Sequence, residues 1–236
     1  MNELYEDGEH YDRVYPGTPH PVWKELAETY GGPLLELGCG TGRITLALAE
    51  QGLDVTGIDN APAMLARARQ KADNGRLTAS LVEGDITDFA LDRQFGTIIF
   101  PANTLCHILT REAFEGLARS IRLHLKADGA LIIDVFVPNP LILIRDPEGR
   151  YPFGHYQSEK GPTWITCNNT YDSATQINHI TTYTQTGEAD HTESRLDMRM
   201  YYPQELEAPL AYNGLPIVER YGTLDKGPSP LNPSAS

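Results

Sequence analysis

From residue 33 to residue 138 the chain alternates between short runs rich in apolar residues and longer stretches whose apolar residues return every three or four positions. The first pattern suits strands buried on both faces, and the second suits amphipathic helices laid against a sheet. The runs fall at 33–37, 53–59, 78–84, 95–101 and 130–138; helical spacing is clearest in ITLALAE (44–50) and in the stretch 110–129, which Gly129 closes. Residues 20–30 read as a further helix, capped by Thr18 with Pro19 at its first position. Such alternation predicts an α/β fold, a Rossmann-like doubly wound mainly parallel sheet with helices on both sides. Ligands then gather beyond the carboxyl ends of the strands.

After residue 150 the spacing changes. Two runs rich in Thr, Tyr and Ile flank Tyr171-Asp172-Ser173, and 191–202 makes a third, so an antiparallel β lid is expected after strand five. A sheet there also suits dimerisation or padding of an edge. Residues 203–214 return to helix and 217–224 to a sixth core strand. The expected division is a core with an N-terminal helical lid at 1–149, the β lid at 150–202, a return to the core at 203–224, and a flexible Pro- and Ser-rich tail at 225–236.

Candidate chemistry begins where the first strand ends. In LLELGCGTG, glycines at 38, 40 and 42 follow Glu36, and residues lacking Cβ let a backbone turn sharply and approach a bulky ligand. A dinucleotide turn wants glycine at its sixth position, where Arg43 stands, so the NAD-dependent oxidoreductase reading loses ground without disappearing. Asp59 ends the next strand, placed to accept hydrogen bonds from a ribose diol; the alternative is that Asp59 and Asn60 merely cap the helix near Pro62. Asp85 follows the third strand, where its carboxylate suits the amino group of adenine while Ile86 packs the ring; an ordinary turn is the alternative.

A formal charge of −13 with no basic patch argues against nucleic acid and anionic membrane as partners. No run approaches the length of a membrane span, and the acidic, aromatic N-terminus lacks the form of a secretory signal. Three widely spaced cysteines suit reduced thiols in a cytoplasm, and no spacing marks a metal site. A small-molecule substrate is therefore expected, in a monomer or homodimer.

Together these segments resemble the class I S-adenosylmethionine-dependent methyltransferases, from about residue 5 to 224. LLELGCGTG resembles that family's first motif, GIDNAPAML its second, GDITDF its third and FPANTLCHI its fourth. The resemblance implies S-adenosyl-L-methionine as cofactor, with Glu36 turned toward its methionine amino group and Gly38, Cys39 and Gly40 against it. Asp59, Asn60, Asp85, Ile86 and Pro101 would complete the pocket. PANTLCHI is similar to a stretch of the glycine N-methyltransferases, and YDRVYPG with the later β lid to the bacterial amino-sugar N-methyltransferases, in which an N-terminal tyrosine closes over the cofactor; Tyr11 and Tyr15 match. The family's sheet normally ends in a strand seven for which no apolar run remains here.

Methyl transfer asks mainly for alignment and exclusion of water. His107 is the candidate base if the acceptor is a hydroxyl, against a packed histidine at a helix start. Asn103 would orient the acceptor, or satisfy loop backbone. Tyr11 would stack on the cofactor or donate to the acceptor, or only pack the lid. The lid residues Trp164, Tyr183, Met198 and Tyr201 are expected to shape the pocket, with His155, His179 and His191 beside them. The expected activity is methylation of a small molecule, nitrogen slightly ahead of oxygen; a cofactor-binding protein without turnover is the alternative.

Overall fold

Five parallel strands, in the order β3-β2-β1-β4-β5, form the central sheet: β1 (Leu34–Leu37), β2 (Val55–Asp59), β3 (Ser80–Glu83), β4 (Phe95–Phe100) and β5 (Leu125–Ile133). The computed structural model describes residues 3–187 and 191–227, so most of the tail expected at 225–236 lies outside the described residues. Three connections carry helices, α3 (Arg43–Glu50) after β1, α4 (Pro62–Gly75) after β2 and α5 (Arg111–His124) after β4, while β3 runs to β4 through a loop. Helices α1 (Gly8–Val14) and α2 (Val22–Tyr30) precede the sheet.

The apolar runs have the cause assigned to them. Leu34 faces Val22 and Trp23 of α2 and Ile44 and Leu48 of α3, while Leu35 faces Phe114, Leu117 and Ile121 of α5 on the other side. Ile98 and Ile99 divide between the two layers in the same way. Each such side chain contributes about 1.5–3 kcal/mol on burial. A sheet packed on both faces holds its strand tips rigidly, and the order of strands reverses between β1 and β4, where a crevice opens.

Four expectations need correction. Helix α2 starts at Val22 behind Pro21, with no side-chain cap, so Thr18 and Pro19 lie outside it. Helix α5 ends at His124, because Leu125 is already extended and paired with Phe95; Gly129 belongs to β5, where a Cβ would meet the Gly96 carbonyl oxygen at 2.7 Å. Residues 217–224 add no sixth strand to the sheet among the described residues. Val218 is 88% exposed and Arg220 is tied to Glu207, so packing of Ile217 holds the segment without a ladder. The lid has four strands, because 151–158 also pairs.

That lid is the antiparallel sheet β6-β7-β8-β9, formed by β6 (Tyr151–Ser158), β7 (Gly161–Asp172), β8 (Ile177–Thr186) and β9 (Thr192–Arg199). It follows β5 through the short helix α6 (Pro140–Leu143), and α7 (Pro203–Tyr212) then returns to the core. Strand β9 packs on two 3-10 turns, Glu3–Tyr5 and Thr104–His107, so the lid, the N-terminus and the end of β4 converge.

Helix α1 is fastened across this convergence by one carboxylate. Asp12 accepts from Thr41 Oγ1 at 2.6 Å, Arg67 Nε at 2.9 Å and Lys71 Nζ at 3.0 Å, joining α1 to the glycine turn and to α4. These three donors outweigh the burial that opposes ionisation and hold the carboxyl below its usual range. Asp12→Ala is expected to weaken the attachment by about 2 kcal/mol, speeding amide exchange in residues 8–14 roughly 30-fold while the sheet amides stay unchanged. Hydrogen exchange followed by mass spectrometry checks this, and uniform acceleration over the whole chain would contradict it.

Candidate functional site

Strand β1 delivers Glu36 into the floor of the crevice, only 3% exposed, where Thr45 Oγ1 donates to its Oε2. Burial pushes the Glu36 carboxyl up to about 8, against the opposing hydrogen bonds from Thr45 and the Arg43 charge. The chain then turns through Gly38 (φ 70°), Gly40 (φ 53°) and Gly42 (φ 76°), all in the left-handed region. The amides of Gly38 and Cys39 both donate to the Ile58 carbonyl, at 2.8 and 3.0 Å, which pins the turn against β2. Helix α3 begins behind Gly42 with no side-chain cap.

Asp59, at the tip of β2, clamps this turn. Its Oδ2 accepts from the Gly40 amide at 2.7 Å and its Oδ1 from the Ala61 amide at 2.9 Å. Burial raises its carboxyl despite those two donors and that of Asn60. The capping role is thus present, and Asp59 also lines the crevice. Asp85 shows a similar duality: Oδ1 accepts from the amide and the hydroxyl of Thr87, both at 2.8 Å, as an ordinary turn does, and the residue also lines the cleft beside Ile86.

The cleft over these tips holds about 950 Å³, room for two small ligands side by side. Of the residues expected there, Tyr11, Glu36, Gly38, Cys39, Gly40, Asp59, Asn60, Asp85, Ile86, Pro101 and His107 all line it. Asn103 does not. Its backbone is left-handed (φ 63°), and its Oδ1 accepts from the Phe136 amide at 2.7 Å, so the side chain joins the ends of β4 and β5 instead of facing an acceptor. Tyr15 sits behind Tyr11, with ring centroids 4.8 Å apart, and against Phe153.

His107 is less available than its position suggested. Its Nε2 lies 2.8 Å from the Tyr5 hydroxyl, and the two rings meet edge to face. Burial lowers its proton affinity more than a hydrogen bond with the Asp197 backbone restores it, so the ring is neutral at pH 7. Tyr5, missed in the sequence, lines the cleft with Tyr11. It lies six residues before Tyr11 in the same acidic, aromatic segment, and only the turn at Glu3–Tyr5 carries it over the site.

The lid contributes other residues than those expected. Trp164 is 59% exposed and stacks on His155; Tyr201 is buried with its hydroxyl donating to the Ile108 carbonyl; and neither Tyr183 nor Met198 borders the cleft. Its wall from the lid is His179, Ile180 and Thr181 of β8 with Arg195 and Asp197 of β9. His155 and His191 lie elsewhere. The two-residue spacing of 179 with 181 and of 195 with 197 marks one face of each strand, the signal that sequence could have offered. Among the described residues no three His, Cys, Asp or Glu side chains group as a metal site, and no helix is long and apolar enough to cross a membrane.

Glu36 ties stability to pH. With an ordinary carboxyl near 4.5 in the unfolded chain and one near 8 in the fold, the native state holds a proton that unfolding releases between these values. Stability from this group is therefore complete below about pH 4.5 and is lost as pH rises through about 8. Urea unfolding is expected to show about 5 kcal/mol lost from this source across that window, and Glu36→Gln to flatten the slope. A variant with the wild-type slope would exclude Glu36 as its origin.

Residues 34–129 match the family described as "Methyltransferase domain". The cypemycin N-terminal methyltransferase of a Streptomyces species is 35% identical over 124 residues, covering 52% of this chain and 50% of that one. The chain spans about half the length of the curated relatives it matches. In fold it is similar to the CcbJ methyltransferase of Streptomyces caelestis (TM-score 0.79, 22% identity, 95% of this chain and 92% of that one). It is likewise similar to the sugar N-methyltransferase KedS8 of Streptoalloteichus (TM-score 0.74, 19% identity, 98% and 90%).

Proposed function

With a methyltransferase domain at residues 34–129 as the premise, we propose that this chain transfers a methyl group from S-adenosyl-L-methionine to a small-molecule acceptor, nitrogen being favoured over oxygen. One observation carries the reading. A turn of three left-handed glycines runs between the buried Glu36 and the partly buried Asp59 at the ends of β1 and β2, beneath a roof of tyrosines, in a cleft with room for both reactants.

The residues fit the cofactor by chemistry. Glu36 has carboxyl oxygens to take its amino group, Asp59 has lone pairs for the ribose diol, and Asp85 has an Oδ2 with no partner among the described residues for the exocyclic amine of the base. Ile86 and Met64 offer apolar surface to the ring. Glycine at 38 and 40 leaves the turn without side chains on the ligand's side. When bound, the cofactor supplies a methyl carbon made electrophilic by its positively charged sulfur. The chain's own work is then alignment: Tyr5 and Tyr11 close the cleft against water, and the rigid strand tips hold the reactants in line.

Nitrogen is favoured because a neutral amine needs no strong base, and His107 is kept neutral with its Nε2 beside Tyr5. The likeness to a sugar N-methyltransferase over 98% of the chain agrees with this preference. The test is to titrate S-adenosylhomocysteine and, separately, NAD while following thermal unfolding and binding heat. The first is expected to stabilise the protein by about 2.7 kcal/mol at a hundred times its Kd. Stabilisation by NAD alone would replace this reading with the oxidoreductase one. Incubating S-adenosylmethionine with amino sugars and with phenolic acceptors, and weighing the products, then distinguishes nitrogen from oxygen.

A further inference from the structure

The cleft contains a second histidine, and its environment is the reverse of that of His107. His179 on β8 and Asp197 on β9 are directly opposite each other in the antiparallel register, and His179 Nδ1 is 2.7 Å from Asp197 Oδ1. Both side chains line the cleft, and both remain about half exposed, 49% and 43%. His179 Nε2 has no hydrogen-bond partner among the described residues, whereas His107 Nε2 has Tyr5. We propose that His179 is the side chain that takes the proton of the methyl acceptor, on Nε2, and that Asp197 is the positioning residue that holds the ring in the tautomer with Nδ1–H. This rests on the methyl-transfer reading of the cleft.

The chemistry balances without any further reactant. An acceptor that arrives as an ammonium, or as a hydroxyl, loses a proton whose bonding electrons stay on its nitrogen or oxygen, and the Nε2 lone pair forms the new N–H bond. The acceptor's freed pair then bonds to the methyl carbon while the bond from that carbon to sulfur breaks, its electrons remaining on sulfur and cancelling the charge there. The imidazolium left behind is compensated by the Asp197 carboxylate. Being half exposed, His179 hands its proton to water afterwards. His107, buried and beside Tyr5, lacks that exit.

Other charges face the pair. Asp172 at the end of β7 senses the charge of His179, Arg195 stands two residues from Asp197 on the same face of β9, and His107 with Tyr5 approaches from the turns beneath. Asp172 and Asp197 bring negative charge and Arg195 positive charge to the same neighbourhood, so the test reads the proton's position atom by atom. A rate measured against pH would mix these groups.

That test is nitrogen-15 spectroscopy of the histidine rings in the full chain with S-adenosylhomocysteine added, in wild type and in Asp197→Ala, with His179→Gln assigning the signal. The expected wild-type spectrum at about pH 8.5 shows His179 protonated on Nδ1 and bare on Nε2, and added acid places the next proton on Nε2 while His107 stays neutral. In Asp197→Ala the share of the opposite tautomer is expected to rise about tenfold. His179 found with its proton on Nε2, or His107 taking up the acid instead, overturns the proposal while leaving cofactor binding intact. An absence of any spectral response to S-adenosylhomocysteine in wild type sinks the methyl-transfer reading itself, and the base with it.

Discussion

Asp59→Ala is expected to lower affinity for S-adenosylhomocysteine at least about 100-fold and to destabilise the fold by roughly 2–4 kcal/mol. Both effects share one cause. The carboxylate accepts from the amides of Gly40 and Ala61 and so clamps the glycine turn to the start of α4. Removing it leaves two amides unpaired in a largely buried place and strips the proposed ribose site of its acceptor. Asp59→Asn keeps one acceptor oxygen but sets its NH2 against the other amide, so its losses should fall between. Calorimetry and urea unfolding measure the two effects separately. If Asp59→Ala binds with wild-type affinity, Asp59 is a cap and nothing more.

Gly38→Val is expected to abolish detectable binding of the same ligand. A Cβ at position 38 would stand 2.3 Å from Thr104 Cγ2, and the backbone there has φ 70°, which a β-branched residue resists. Steric overlap and strain therefore act together, at about 3 kcal/mol or more. Gly38→Ala combined with Thr104→Ser separates them. Shortening Thr104 removes the colliding methyl but leaves the strain, so the double variant should recover part of the stability lost in Gly38→Ala. Complete recovery would show that the backbone conformation carries no penalty. No recovery would show that the close approach to Thr104 is unimportant. Gly40 has only Met64 Cε nearby, at 3.5 Å, so alanine there should be limited by its φ of 53° alone.

The parts of the site legible in the sequence are those fixed by neighbours along the chain. Glu36, the glycines, Asp59 and Asp85 each stand at or just past the end of a strand of the parallel sheet, and parallel connection places all such ends on one edge. Residues reached through a two-faced element were misplaced. Asn103 follows the same kind of strand, but its left-handed backbone turns the side chain toward Phe136. In the lid, aromatic size suggested Trp164 and Tyr201 as pocket residues, yet one is exposed and the other is buried under Ile108. The smaller polar residues at 179, 181, 195 and 197 took the wall.

Segment boundaries failed for a related reason. Composition alone put the end of a helix at Gly129 and a strand at 217–224, while pairing of Leu125 with Phe95 and the tie between Arg220 and Glu207 decided otherwise. By itself, the sequence determined the alternation of strand and helix, the edge over which the cleft opens and the carboxylates that stand there, since each follows from local spacing and burial. The tertiary structure alone decided which side chains from the N-terminus and the lid meet over that edge, and which histidine ring is paired with Tyr5 and which with Asp197. Those outcomes depend on the phase of strands and turns packed from far along the chain, and no local rule sets that phase.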